Sequence, residues 1–119
     1  MSLDVYLTKV MPTEVFTSNI THNLCKMADA VKYGVEWEGG EELTLYDVLW
    51  RPEEHGFKYA RDIADLLDIG WNILLSDPEK YSKYNPENGW GSYEGLCDFV
   101  YKYRNACWDN PSAEIGVCR

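Results

Sequence analysis

Leu3-Asp4-Val5-Tyr6-Leu7-Thr8 alternates apolar and polar side chains without a break. Successive side chains of a strand point to opposite faces, so this stretch reads as a β-strand with one face on a core. Met11-Pro12-Thr13 interrupts the pattern, and Glu14-Val15-Phe16-Thr17 resumes it as a short second strand of a hairpin. Ala113, Ile115 and Val117 alternate in the same way near the other end. This C-terminal strand is expected to join the first one in a single sheet. The fold class follows: α+β, with a small two- or three-stranded antiparallel sheet (N-terminal hairpin plus C-terminal strand) packed with about three helices.

Helical periods fill the middle of the chain. Ile20, Leu24, Met27, Ala28 and Val31 form an apolar stripe, with Ser18 or Asn19 expected as the N-cap and Gly34 as the C-terminal cap. Ala60, Ile63, Ala64, Leu67, Trp71, Leu74 and Leu75 form a longer stripe. Asp77-Pro78 reads as an N-cap followed by proline in the first turn of a short helix. Ser92 is placed to cap the last helix, whose inner face carries Leu96, Phe99, Val100, Tyr103 and Cys107. Leu45 to Trp50 reads as a short helix or buried run, stopped by Arg51-Pro52 because proline disfavours helix in the residue before it. Residues 35 to 47 form an acidic excursion with Glu36, Glu38, Glu41, Glu42 and Asp47, and Gly39-Gly40 suggests a small hairpin joining Val35-Glu36-Trp37 to Leu43-Thr44-Leu45.

The 119 residues are expected to form one domain, and a hydrophobic fraction of 45% suffices for a core. With 20 acids against 11 Lys and Arg the formal charge is −9, which argues against direct nucleic-acid binding and against adhesion to an anionic membrane. Cys25, Cys97, Cys107 and Cys118 show no C-x-x-C spacing, and the first residues lack the pattern of a secretory signal. Reduced thiols in a cytosol are the corresponding expectation.

Three polar segments border helix ends: 19 to 23, 50 to 55 and 85 to 94. The stretch that holds the last, Tyr84-Asn85-Pro86-Glu87-Asn88-Gly89-Trp90-Gly91-Ser92-Tyr93-Glu94-Gly95-Leu96, carries more amides, acids and aromatics than a turn requires. If the segments meet, Trp50 and Trp90 can flank a planar or sugar-like group. Asn19, His22, Asn85 and Asn88 would supply directional hydrogen bonds, and Arg51 would grip a carboxylate or phosphate. If they do not meet, all three are caps and turns. His22 and His55 belong to no H-x-x-x-H or nucleophile motif, so neither a metal set with Glu53 and Glu87 nor a nucleophilic triad is expected. No cofactor is called for.

Over nearly its whole length the chain resembles a group of small, uncharacterised proteins of bacteriophages and prophages. The resemblance rests on Met1-Ser2-Leu3-Asp4-Val5-Tyr6-Leu7, Asn19-Ile20-Thr21-His22-Asn23-Leu24, Leu49-Trp50-Arg51-Pro52-Glu53-Glu54, Asn85-Pro86-Glu87-Asn88-Gly89-Trp90-Gly91 and Tyr93-Glu94-Gly95-Leu96. It implies origin and a location in the cytoplasm of a bacterial host rather than a chemistry. Residues 34 to 46 are longer and more acidic than the group's usual connection. The expected function is a non-enzymatic binding protein that recognises a small polar or anionic ligand, or a host protein, through Asn19, His22, Trp50, Arg51, Asn85, Asn88 and Trp90. Two other classes compete: an acidic interaction module that mimics a polyanion and inhibits a basic host factor, and a small metal-assisted hydrolase or transferase.

Overall fold

The computed structural model of the chain describes residues 2–9, 13–36 and 42–119. Strand β1 (Ser2–Lys9) runs down the middle of a three-stranded antiparallel sheet, between β2 (Thr13–Thr21) and β5 (Glu114–Cys118). The alternation that predicts β1 also sets its faces. Leu3, Val5 and Leu7 are fully buried, while Asp4, Tyr6 and Thr8 point the other way. Full burial of each of these side chains contributes roughly 1.5–3 kcal/mol, enough to hold the register against a one-residue slip. Val5 lies opposite Val117, and Leu7 opposite Ile115. Tyr6 lies opposite Gly116, and its ring fills the space where a glycine Cβ would stand, within 2.0 Å of Cε2.

Five α-helices are found among the described residues: α1 (Cys25–Asp29), α2 (Leu45–Trp50), α3 (Ala60–Ser76), α4 (Pro78–Ser82) and α5 (Tyr93–Asp109). The expected α+β class holds. The inner face of α5 is buried as its period requires, and Phe16 of β2 stacks on Tyr103 with centroids 5.7 Å apart. The α3–α5 seam closes on the outside around Arg104. Its guanidinium bonds Asp68 at 2.9 Å and lies over the rings of Trp71, Tyr101 and Trp108 at 4.6, 4.9 and 4.6 Å. Asp77 and Ser92 cap α4 and α5 as expected, accepting from Lys80 N–H and Gly95 N–H.

The helix expected from Ile20 to Val31 is the main correction. Its first residues belong to β2, where Asn19, Ile20 and Thr21 pair with Asp4, Leu3 and Ser2. Ile20 satisfies two periods, since it follows Ser18 and Phe16 on the buried face of the strand and also begins the helical stripe. The β-branched Ile20 and Thr21 favour the strand, and the ladder with β1 decides. The N-cap is therefore Thr21, not Ser18 or Asn19, and it opens a 3-10 turn (His22–Leu24) that leads into the single-turn helix α1. The apolar stripe is buried nonetheless.

Gly34, expected to end that helix, lies instead within strand β3 (Lys32–Glu36) at φ 75°, beside an irregularity in its pairing with β4 (Glu42–Thr44). A glycine is what that backbone requires, because other residues resist positive φ. The pairing of Glu36 with Glu42 agrees with the expected hairpin, whose tip at Trp37, Gly39 and Gly40 lies outside the described residues, as do Glu38, Glu41 and the Met11-Pro12 break. Tyr33 of β3 reaches α3 and donates to the Leu66 carbonyl at 2.7 Å. Gly70 makes room for it, since a Cβ there would come within 2.7 Å of the Tyr33 hydroxyl.

Candidate functional site

Two of the three polar segments meet around open hollows, and the third reaches them only from behind, through Trp50 against His22. Thr21 Oγ1 accepts from Asn23 N–H at 3.3 Å, which shapes the turn at the end of β2, and buried Leu24 anchors it. The loop between α4 and α5 is fastened at both ends by buried Tyr81 and Tyr93. The Tyr93 hydroxyl donates to the Leu74 carbonyl at 2.6 Å, and Asn85 Oδ1 accepts Tyr93 N–H at 2.8 Å. At the loop's tip Asn88 Oδ1 accepts Trp90 N–H at 2.9 Å. Asn23 Nδ2 donates to the Trp90 carbonyl at 3.3 Å.

Gly91 lets the two segments come this close. Its φ is 106°, and a Cβ would stand 2.7 Å from Thr21 Cγ2 and 3.0 Å from Leu24 Cγ. Positive φ and close backbone approach are the two circumstances that demand glycine, and both hold here. The Trp90 side chain is left 71% exposed.

The junction produces two adjoining hollows that share Asn23. One, of about 560 Å³, is lined by Ser2, Asn19, Thr21, Asn23, Asn88 and Trp90. Its described lining carries no charge. The other, of about 500 Å³, is lined in part by His22, Asn23, Lys26, Lys83, Asn85 and Glu87. Two lysines against one acid make this an electropositive spot on a chain of net charge −9. Cys25 also borders it. Burial raises the Cys25 thiol pKa, an effect the nearby Arg51 charge only partly offsets, so the sulfur is held as a thiol rather than a reactive thiolate.

Asn19 and Asn88 thus line the first hollow, His22 and Asn85 the second, and Trp90 stands at the rim of the first. Trp50 and Arg51 line neither. Trp50 is 2% exposed and stacks on Tyr46 with centroids 5.5 Å apart, while Arg119 donates to its carbonyl at 2.8 Å. The expectation that Trp50 flanks a ligand is therefore corrected. It stands behind His22, whose ring meets it edge-on at 6.1 Å. Arg51 turns to near neighbours in the chain, pairing with Glu54 at 2.8 Å and with the Tyr46 hydroxyl at 3.3 Å. That is the structural role open to any arginine with an acid three positions on.

Ser2, Thr21, Asn23, Lys26 and Lys83 complete the hollows without having been among the expected site residues. Thr21 and Asn23 were visible in the polar cluster at 19 to 23. Ser2 enters only through its pairing with Thr21 across the sheet. Lys26 and Lys83 carry no sequence signal beyond being scarce cations. Among the described residues, no three His, Cys, Asp or Glu side chains are grouped so as to hold a metal ion. No helix of the described residues is long and apolar enough to cross a membrane. The chain matches no protein-family model, no curated protein and no solved structure.

Proposed function

We propose that the chain is a binding protein of the bacteriophage type, acting in the cytoplasm of a bacterial host, which takes a small polar or anionic ligand between the 19–26 turn and the 83–91 loop. One observation carries the reading: the close Gly91 junction that joins two polar segments, 67 positions apart at Asn23 and Trp90, around adjoining hollows. Loops that only reverse the chain have no need of that meeting. The electropositive hollow suits a carboxylate or phosphate, for which Lys26 and Lys83 are donors and Asn85 gives direction. His22 Nε2 is buried and has no partner among the described residues, so a ligand or water that reached it would supply its missing hydrogen bond. The role is non-enzymatic on this reading. The phage assignment is supported by the sequence segments named above.

The test is a two-dimensional amide NMR titration of the protein with inorganic phosphate, succinate and a panel of neutral methyl glycosides. Shifts confined to Ser2 and residues 19–26 and 83–91 are expected. Silence with every probe, or shifts only elsewhere, overturns the proposal.

A further inference from the structure

The Trp90 indole is exposed to an unusual degree for so large an apolar group. Its exposure is not slack in the loop. The residue's N–H is held by Asn88 Oδ1 and its carbonyl by Asn23 Nδ2, and glycines at φ 75° and 106° flank it. The backbone is thus fixed on both sides of a ring that stays in water. A ring so mounted is a platform.

The described lining of the hollow beside the platform is neutral and hydrogen-bonding: two hydroxyls (Ser2, Thr21), three carboxamides (Asn19, Asn23, Asn88) and the indole. In a chain with 26% charged residues, a described lining free of charge is informative. Two carboxamides are already half committed. Asn88 spends its oxygen on Trp90 N–H, which leaves its NH₂ to donate, and Asn23 spends its NH₂ on the Trp90 carbonyl, which leaves its oxygen to accept. Across the gap lie one fixed donor and one fixed acceptor, with Asn19 able to do both.

Adjacent hydroxyls of a sugar need this pairing, since each both donates and accepts. A pyranose ring also presents a face of C–H groups, and their slight positive charge suits the negative face of an indole. We infer that this hollow takes a neutral saccharide unit, stacked by its C–H face on Trp90 and read by Asn19, Asn23 and Asn88. The inference rests on the ligand-binding reading above and narrows it to a substrate class. A nucleobase would also stack, but the described lining offers one ring and no second to enclose a flat base on its other side. A phosphate-bearing group belongs in the neighbouring hollow, where the lysines are.

The experiment uses the intact protein and follows the Trp90 indole N–H resonance, assigned with Trp90→Phe. Probes are the methyl glycosides of glucose, galactose, mannose and N-acetylglucosamine, short oligosaccharides of each, adenosine and inorganic phosphate. The expected result is a saturable shift of the Trp90 indole and of the Asn23 and Asn88 side-chain amides with at least one saccharide. Trp90→Ala should weaken that binding roughly tenfold or more, the equivalent of one lost stack, with the melting temperature unchanged, and Asn88→Asp should restrict it by removing the donor. A phosphate response at His22, Lys26 and Lys83 with no saccharide response overturns the saccharide inference and leaves the ligand-binding proposal standing. A stronger Trp90 response to adenosine than to any saccharide also overturns it. Silence with all probes removes both.

Discussion

The side chain of Asn23 donates to the carbonyl oxygen of Trp90 at 3.3 Å, tying the end of a strand to the tip of a loop 67 positions further on. Asn23→Ala removes that tie and the acceptor beside it. An exposed hydrogen bond of this kind contributes about 1 kcal/mol, so the variant should fold with a slightly lower urea midpoint. Ligand shifts at Trp90 should nevertheless disappear. Retention of binding with unchanged loop resonances would show that the tie does not shape the site.

Gly91 and Gly89 both have positive φ, yet only Gly91 faces a neighbour. Gly89→Ala should cost about 1 kcal/mol, the backbone penalty alone. Gly91→Ala adds a collision with Thr21 and Leu24 and should cost roughly 2–4 kcal/mol by chemical denaturation. Equal losses at the two positions would argue that the segments do not approach as closely as described.

Arg51→Ala is expected to change stability by less than about 1 kcal/mol, because the pair with Glu54 is solvent-exposed. It should leave ligand shifts around both hollows intact. A variant that folds but no longer binds would return Arg51 to the site.

Alkaline pH should weaken the fold. Burial pushes the Cys107 thiol from its ordinary 9.0 up to about 12, and it raises the Tyr103 and Tyr33 hydroxyls as well. Below pH 9 the thiol is protonated in both folded and unfolded chains, and its contribution is fully present. Between about pH 9 and 12 the unfolded chain loses the proton while the folded one keeps it, so stability falls as pH rises. Melting temperatures across this range should decline less steeply for Cys107→Ala than for the unaltered protein. Parallel curves would remove the thiol from the explanation.

Deleting residues 113–119 should abolish cooperative thermal unfolding, since it strips β1 of one neighbour and the core of Ala113, Ile115 and Val117. A truncated chain that melts sharply at the original temperature would contradict the pairing.

The elements legible in the sequence were those where one period dominates. Residues 3–7, 113–117, 60–76 and 93–109 each show a single dominant repeat, and each forms the expected structure. Residues 19–31 were not legible, because Ile20 fits two repeats and only contact with Leu3, which no local pattern reveals, decides between them. The candidate site divides along the same line. Asn19, His22, Asn85, Asn88 and Trp90 stood out as polar or aromatic residues at turns. Trp50 looked equally available, but it is a core residue that stacks on Tyr46. Lys26 and Lys83 become partners only when the chain has closed.

The strand at the centre of the sheet has a consequence for the order of events during synthesis. Strand β1 is made before both of its partners, and β2 follows at once to pair with one side of it. The other side is completed only by residues 114–118, the last of the elements described here to be made. Until residues 114–118 have been made, the nascent chain therefore carries one open strand edge, the unpaired backbone groups of Asp4 to Thr8, a template that any extended polypeptide in the cell can occupy.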